Sequence, residues 1–274
     1  MILYHIILLA VIQGLTEFLP VSSSGHLGLF HCFTDQCDHW DVQNVTMDIA
    51  VHVGTLLSVL LYFWRDVVKM LLGAKDIGTG KAKTDNANLL FFVLISSIPV
   101  IIAGLILKMF EPDWLKTLHV IAWTTLVFGI VLWWADAKTT AKREIKDLTF
   151  KDAILIGLSQ ILALIPGTSR SGITMTAARF LGFSRQESAH YSLLLAMVAI
   201  SGAGALIGLD LIKDGNVQLG FDALIGVIFS FISGLIAITV MMKFLEKSSF
   251  TIFAIYRIIL GGGLLTLLYT GVIG

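Results

Sequence analysis

Apolar residues in this chain come in long unbroken runs, and polar residues gather at a few sharply bounded places between them. Six runs are long enough to cross a bilayer as helices at about 1.5 Å per residue. They cover residues 47–64, 89–107, 118–135, 188–209, 221–242 and 251–273. Two further segments are apolar at both ends and polar in the middle: residues 2–30 break at LPVSSSGH, and residues 153–183 break at IPGTSRSG. Each is too polar at its centre for a simple span and too apolar at its flanks for a surface loop. Re-entrant helical hairpins are the expected form, because non-helical backbone at membrane depth is tolerated only where protein or water satisfies it. The predicted fold is therefore all-α and integral to the membrane, with six transmembrane helices plus two re-entrant helical hairpins.

Composition agrees with this pattern. Hydrophobic residues make up 56% of the chain and charged residues 14%, with a mean hydropathy of +0.87. A soluble domain carries about a quarter charged residues, so lipid is the expected solvent for this surface. The formal net charge is zero, which gives no broad basic face for nucleic acid. The stretch from Met1 to Leu19 has no basic start and no small-residue cleavage site, and it contains Glu17; it is expected to be retained. Cys32 and Cys37 stand as a disulfide pair or as two free thiols, and the sequence does not decide between them.

Charge orients the spans. Arg65, Lys69, Lys75, Lys81, Lys83, Lys138, Lys142, Arg143, Lys146, Lys151, Arg179, Arg185, Lys243 and Lys247 fall on one side, against Lys108, Lys116 and Lys213 on the other. The positive-inside rule makes the first side cytoplasmic and leaves both termini outside. The count closes only if each broken segment returns to its side of entry, the first from outside and the second from the cytoplasm. One membrane domain, 1–274, is then built of two inverted halves, approximately 1–136 and 150–274, an architecture that places function near the midplane. A shift of 147 residues lays Gln13 on Gln160, Ser22 on Ser169, Ser24 on Ser171 and Gly25 on Gly172.

The two breaks carry the candidate chemistry. Gln13 and Glu17, four residues apart, share one helix face. Pro20 ends the first half-helix; Ser22, Ser23 and Ser24 offer hydroxyls, Gly25 permits close approach, and His26 opens the returning half. A helix N-terminus with free N–H groups favours an anion. The second break adds Arg170, a fixed cation that is costly at depth without an anionic partner and whose planar fork suits a phosphate. Thr168, Ser169, Ser171, Gly172 and Thr174 surround it. One guanidinium, one carboxylate, one imidazole and several hydroxyls suit phosphoryl chemistry. A structural ion pair between Glu17 and Arg170 is the competing reading. Asp48 and His52, and Arg257 in the last span, are open between a site role and a structural one. Inverted repeats with broken helices also describe secondary transporters and lipid flippases, which would use the same groups only to bind an anion.

The motifs EFLPVSSSGH and PGTSRSG, with the FAIYR segment near the C-terminus, resemble the undecaprenyl pyrophosphate phosphatase family, also called the bacitracin-resistance protein family, over essentially the whole chain. That resemblance implies an undecaprenyl-diphosphatase of the bacterial inner membrane, with its site opening to the periplasmic side. Such an enzyme releases inorganic phosphate, returns undecaprenyl phosphate to peptidoglycan synthesis and confers bacitracin resistance. It implies catalytic roles for Glu17, Ser23, His26 and Arg170, with Ser169 in the site. It also implies a divalent cation, Mg²⁺ or Ca²⁺, on Glu17 and the substrate's phosphates. The partners expected are a polyprenyl pyrophosphate lipid and the bilayer, with a homodimer left open. The family's first motif has Glu or Gln, three residues, then Glu; here it reads Gln13 to Glu17, so a neutral amide stands where other members have a second carboxylate. The nucleophile stays open among Ser23, activated by His26 or Glu17, His26 itself, and water.

Overall fold

A computed structural model describes residues 3–35, 42–81, 83–110, 112–140, 142–214 and 217–273. The Cys32/Cys37 question lies outside the described residues. Among the described residues the chain is helical and holds no strand: α1 Leu3–Phe18, α2 Ser23–Asp35, α3 Val42–Tyr62, α4 Trp64–Gly78, α5 Asp85–Phe110, α6 Leu118–Lys138, α7 Phe150–Gln160, α8 Arg170–Phe180, α9 Arg185–Asp214, α10 Val217–Leu245 and α11 Thr251–Tyr269. Short polar residues set several starts. The Thr117 hydroxyl accepts from Val120 N at the head of α6, and Thr149 with Asp152 forms a reciprocal capping box on α7.

Among the described residues four helices are long and apolar enough to cross a membrane: Asp85–Phe110, Leu118–Lys138, Gly220–Leu245 and Thr251–Tyr269. These match four of the expected spans. The first expected span ends at Tyr62, where the chain bends by 84° into α4, so Met47–Tyr62 reaches spanning length only together with Trp64–Gly78. The α4 helix then turns Trp64, Val68 and Leu71 outward while Gly73 is buried against α5.

Burial runs opposite to that of a water-soluble protein. Large apolar side chains cover the outside, with Met109 81% exposed and Ile259 68% exposed, while Thr55, Ser58, Ser96 and Ser230 are fully buried. Small hydroxyl residues at helix contacts let backbones approach closely, as expected where lipid supplies no hydrophobic drive between helices. The central apolar cluster draws on both halves of the chain, including Phe18, Val59, Val93, Leu132, Ile156, Met175, Leu193 and Ile238. Around it α10 packs on α1 and α3, α5 packs on α7 and α9, and α6 packs on α11. Each broken segment also packs on itself, α1 against α2 and α7 against α8.

Two glycines bring α10 that close. A Cβ on Gly14 would meet Gly234 N and the Ser230 carbonyl, each 2.8 Å away. A Cβ on Gly54 would run into the Val227 carbonyl and Phe231 N. Backbone cannot swing aside as a flexible side chain does. Gly54→Ala is therefore expected to force α3 and α10 apart and to cost roughly 1–3 kcal/mol. A lowered melting temperature in detergent checks this, and an unchanged one would contradict the packing described.

Candidate active site

The first break begins where α1 stops at Phe18. Pro20 cannot continue the helix, Val21 N turns back onto the Leu19 carbonyl at 2.7 Å, and Ser22 takes a φ of 76°. From that strained position its hydroxyl accepts from Gly25 N (3.4 Å) and meets Ser24 Oγ at 3.3 Å, while α2 starts at Ser23. The second break repeats this. After α7 a 3₁₀ turn over Ile161–Leu164 leads to Pro166 and Gly167, and Ser169 takes a φ of 72°. Its hydroxyl accepts from Gly172 N (3.1 Å) and meets Ser171 Oγ at 3.1 Å. Among the described residues Ser22 and Ser169 are the two non-glycine positions with positive φ. Strain of order 1–3 kcal/mol at such a residue persists only where its surroundings over-determine it.

Glu17 is where the halves meet. Its Oε1 accepts from Arg170 Nη2 at 2.6 Å. Its Oε2 accepts from Ser23 Oγ at 2.7 Å and from Gln13 Nε2 at 2.9 Å, and His52 Nε2 stands 3.6 Å from the same oxygen. Four helices, α1, α2, α3 and α8, thus converge on one carboxylate. Ser171 Oγ adds a second bridge between the breaks by donating to the Leu19 carbonyl at 2.9 Å. Three buried polar atoms here have no hydrogen-bond partner among the described residues: Arg170 Nη1, Thr168 Oγ1 and Gln13 Oε1. Such atoms cost free energy unless a ligand or water completes them.

Several expected site residues are used differently. His26 sits on the α2 turn, but its Nδ1 is 2.7 Å from the Ser22 carbonyl and its Nε2 is 2.6 Å from Tyr256 Oη. It makes no described bond to Ser23, whose described partner is Glu17. Thr174 is buried, and its hydroxyl donates to the Arg170 carbonyl (2.9 Å) and pairs with Ser192 Oγ at 2.7 Å. It therefore ties α8 to α9, where the sequence suggested a substrate donor. Gly172 serves closeness, because a Cβ there would lie 2.8 Å from Arg257 Nη1. Asp48 accepts from His31 Nε2 at 2.9 Å, while its main-chain oxygen takes the Nδ1 proton of His52 and so aims the other ring nitrogen at Glu17.

Arg257, left undecided by the sequence, is fully buried on α11. Its fork reaches Gly167 O (2.9 Å), Thr125 O (3.2 Å), Thr124 O (3.4 Å) and Pro20 O (3.4 Å). One guanidinium thus holds the main chain of both breaks against α6. Residues 6–263 match the family described as bacitracin resistance protein BacA. The chain belongs to that family. Among the family's curated members, the undecaprenyl-diphosphatase of Roseobacter denitrificans is 47% identical over 271 residues, 98% of this chain and all of the relative. That of Ruegeria pomeroyi is 45% identical over the same shares, and that of Alteromonas mediterranea is 43% identical over 97% of this chain and 98% of the relative.

The divalent cation implied by the family resemblance does not fit Glu17 in this arrangement. Both carboxylate oxygens are engaged, and a guanidinium lies 2.6 Å from one of them. Among the described residues no three His, Cys, Asp or Glu side chains group as a metal site.

Proposed function

We propose that this protein hydrolyses undecaprenyl pyrophosphate to undecaprenyl phosphate and inorganic phosphate, as an undecaprenyl-diphosphatase of the bacterial inner membrane. Full-length relatives carry that activity in their names. The observation that carries it is one carboxylate holding a serine hydroxyl at 2.7 Å and an arginine at 2.6 Å. A nucleophile, its base and a phosphate clamp are thereby within one side chain of each other.

The terminal phosphate is bound by Arg170, whose Nη1 is free to donate, and by Thr168 and the N–H groups at the starts of α2 and α8. Ser23 Oγ attacks the terminal phosphorus as its proton passes to Glu17 Oε2. The bond to the bridging oxygen breaks, its electrons leave on undecaprenyl phosphate, and a phosphoserine remains. Charge spread over the transferred phosphoryl is met by Arg170. Water then attacks that phosphorus, and Ser23 regains its proton from Glu17 as dihydrogen phosphate departs. No step of this scheme runs through a divalent cation.

Six spans and two re-entrant hairpins in inverted halves are part of the same proposal, with both termini and the site opening on the periplasmic side. The 147-residue shift supports it, since it relates both strained serines, both Ser–Ser pairs, both hydroxyl-to-glycine caps and the two fully buried glutamines Gln13 and Gln160. The packing of α10 on α1 and α3 is likewise mirrored by that of α5 on α7 and α9. A transporter or flippase would bind the anion without using the Ser23–Glu17 contact.

Purified protein in detergent, given undecaprenyl pyrophosphate, is expected to release inorganic phosphate, with Ser23→Ala at least about a hundredfold slower. Full activity in Ser23→Ala would remove the phosphoserine route and leave water attack. Lipid flux in vesicles without phosphate release from the wild type would favour transport.

A further inference from the structure

Tyr256 stands beside Arg257 on α11, and nothing in the phosphoryl transfer above uses it. Its ring lies edge-on to His26, with centroids 5.7 Å apart and planes 9° from parallel, and its Oη is 2.6 Å from His26 Nε2. The partners fix the tautomer. The Ser22 carbonyl can only accept, so His26 Nδ1 carries the proton; the lone pair of the neutral ring is then on Nε2, and the phenol donates into it. Both ring nitrogens are held.

Packing does not account for this placement. Tyr256 is 44% exposed, and Ile252 and Ile259, near it along α11, are more exposed still. His52 offers a contrast: its Nδ1 is tied to the carbonyl four residues back in the same way, yet its Nε2 faces Glu17. What distinguishes His26 is the hydroxyl from α11.

We propose that Tyr256 is a positioning residue for the phosphatase reaction, its hydroxyl holding the neutral His26 imidazole in one tautomer and one orientation at the start of α2. This rests on the proposed binding of phosphate at the start of α2, the turn on which His26 sits, and adds to it that the imidazole serves the site. The link joins the first break to the last helix by side chains, next to the main-chain link made by Arg257.

A double-mutant cycle tests it. Tyr256→Phe keeps the ring in place and removes only the donor. Its kcat is expected to fall about tenfold, the size of one lost hydrogen bond, with KM within about twofold. In a His26→Ala background the same change is expected to have no further effect. Tyr256→Leu, which also loses the ring, should lose at least as much activity and be equally silent without His26. Melting temperatures in detergent for the Phe variant should match the parent. Equal losses with and without His26 would overturn the proposal, as would full activity of Tyr256→Phe beside a crippled His26→Ala. Full activity of His26→Ala would overturn it together with the role given to His26. Absence of phosphate release from the wild type would instead strike the phosphatase reading.

Discussion

Arg170→Ala is expected to slow phosphate release from undecaprenyl pyrophosphate by about three orders of magnitude or more, the scale on which arginine contributes to phosphoryl transfer. Two losses combine. The clamp that meets charge on the transferred phosphoryl disappears, and the nearly buried Glu17 loses its ion pair at 2.6 Å. An uncompensated buried carboxylate tends to take up a proton, which would also disable it as the base for Ser23. Arg170→Lys keeps the charge without the planar fork and should recover only part of the rate. Steady-state phosphate release from detergent-purified variants, with melting temperatures alongside, separates catalysis from folding. Wild-type turnover by Arg170→Ala would undo the site assignment as a whole.

The second large effect is expected at Arg257, and it falls on structure first. Arg257→Ala removes donors from Pro20 O, Gly167 O, Thr124 O and Thr125 O in one change, and leaves a hollow where a large side chain was fully buried. The expected cost is roughly 3–5 kcal/mol, combining the cavity and the unsatisfied carbonyls. Because the carbonyls belong to both breaks, activity should fall before the protein unfolds, as the Glu17–Arg170 contact loosens. Arg257→Lys, which reaches fewer of the four, should lie between the two. A thermal melt of Arg257→Ala indistinguishable from wild type would show that the main chain of the breaks is held by something else.

Much of this site is legible from sequence because membrane depth makes polarity conspicuous. Pro20 and Pro166 mark where helices must stop, and Glu17, Ser23 and Arg170 stand out against apolar flanks. The resemblance carried by EFLPVSSSGH and PGTSRSG points to the same residues and is matched by the family itself. The pairing of Glu17 with Arg170 could be named as an option, but its 2.6 Å contact depends on how α1 and α8 cross. The Thr174 hydroxyl has partners that sequence does not show, the Arg170 carbonyl one turn back and Ser192 on α9. The partners of His26 are only half local: its Nδ1 meets the carbonyl of Ser22 four residues back, while its Nε2 meets a helix the sequence does not place beside it. Tyr256 lies in the FAIYR segment that carries part of the resemblance, but nothing local points to its contact with His26, whose position is 230 residues away. The bend at Phe63 is likewise invisible to an apolar run that continues toward Trp64.

Ser22 and Ser169 also bear on how this protein could be made more robust. Glycine is the usual remedy for a residue with positive φ, and a designer seeking heat resistance would try it at both positions. Here the remedy would remove the hydroxyls that cap Gly25 N and Gly172 N, so each relaxed backbone would leave a frayed helix start beside the substrate. Thermal tolerance is better sought among the exposed apolar residues of α5, such as Ile101, Ile102 and Leu105, none of which bonds either serine.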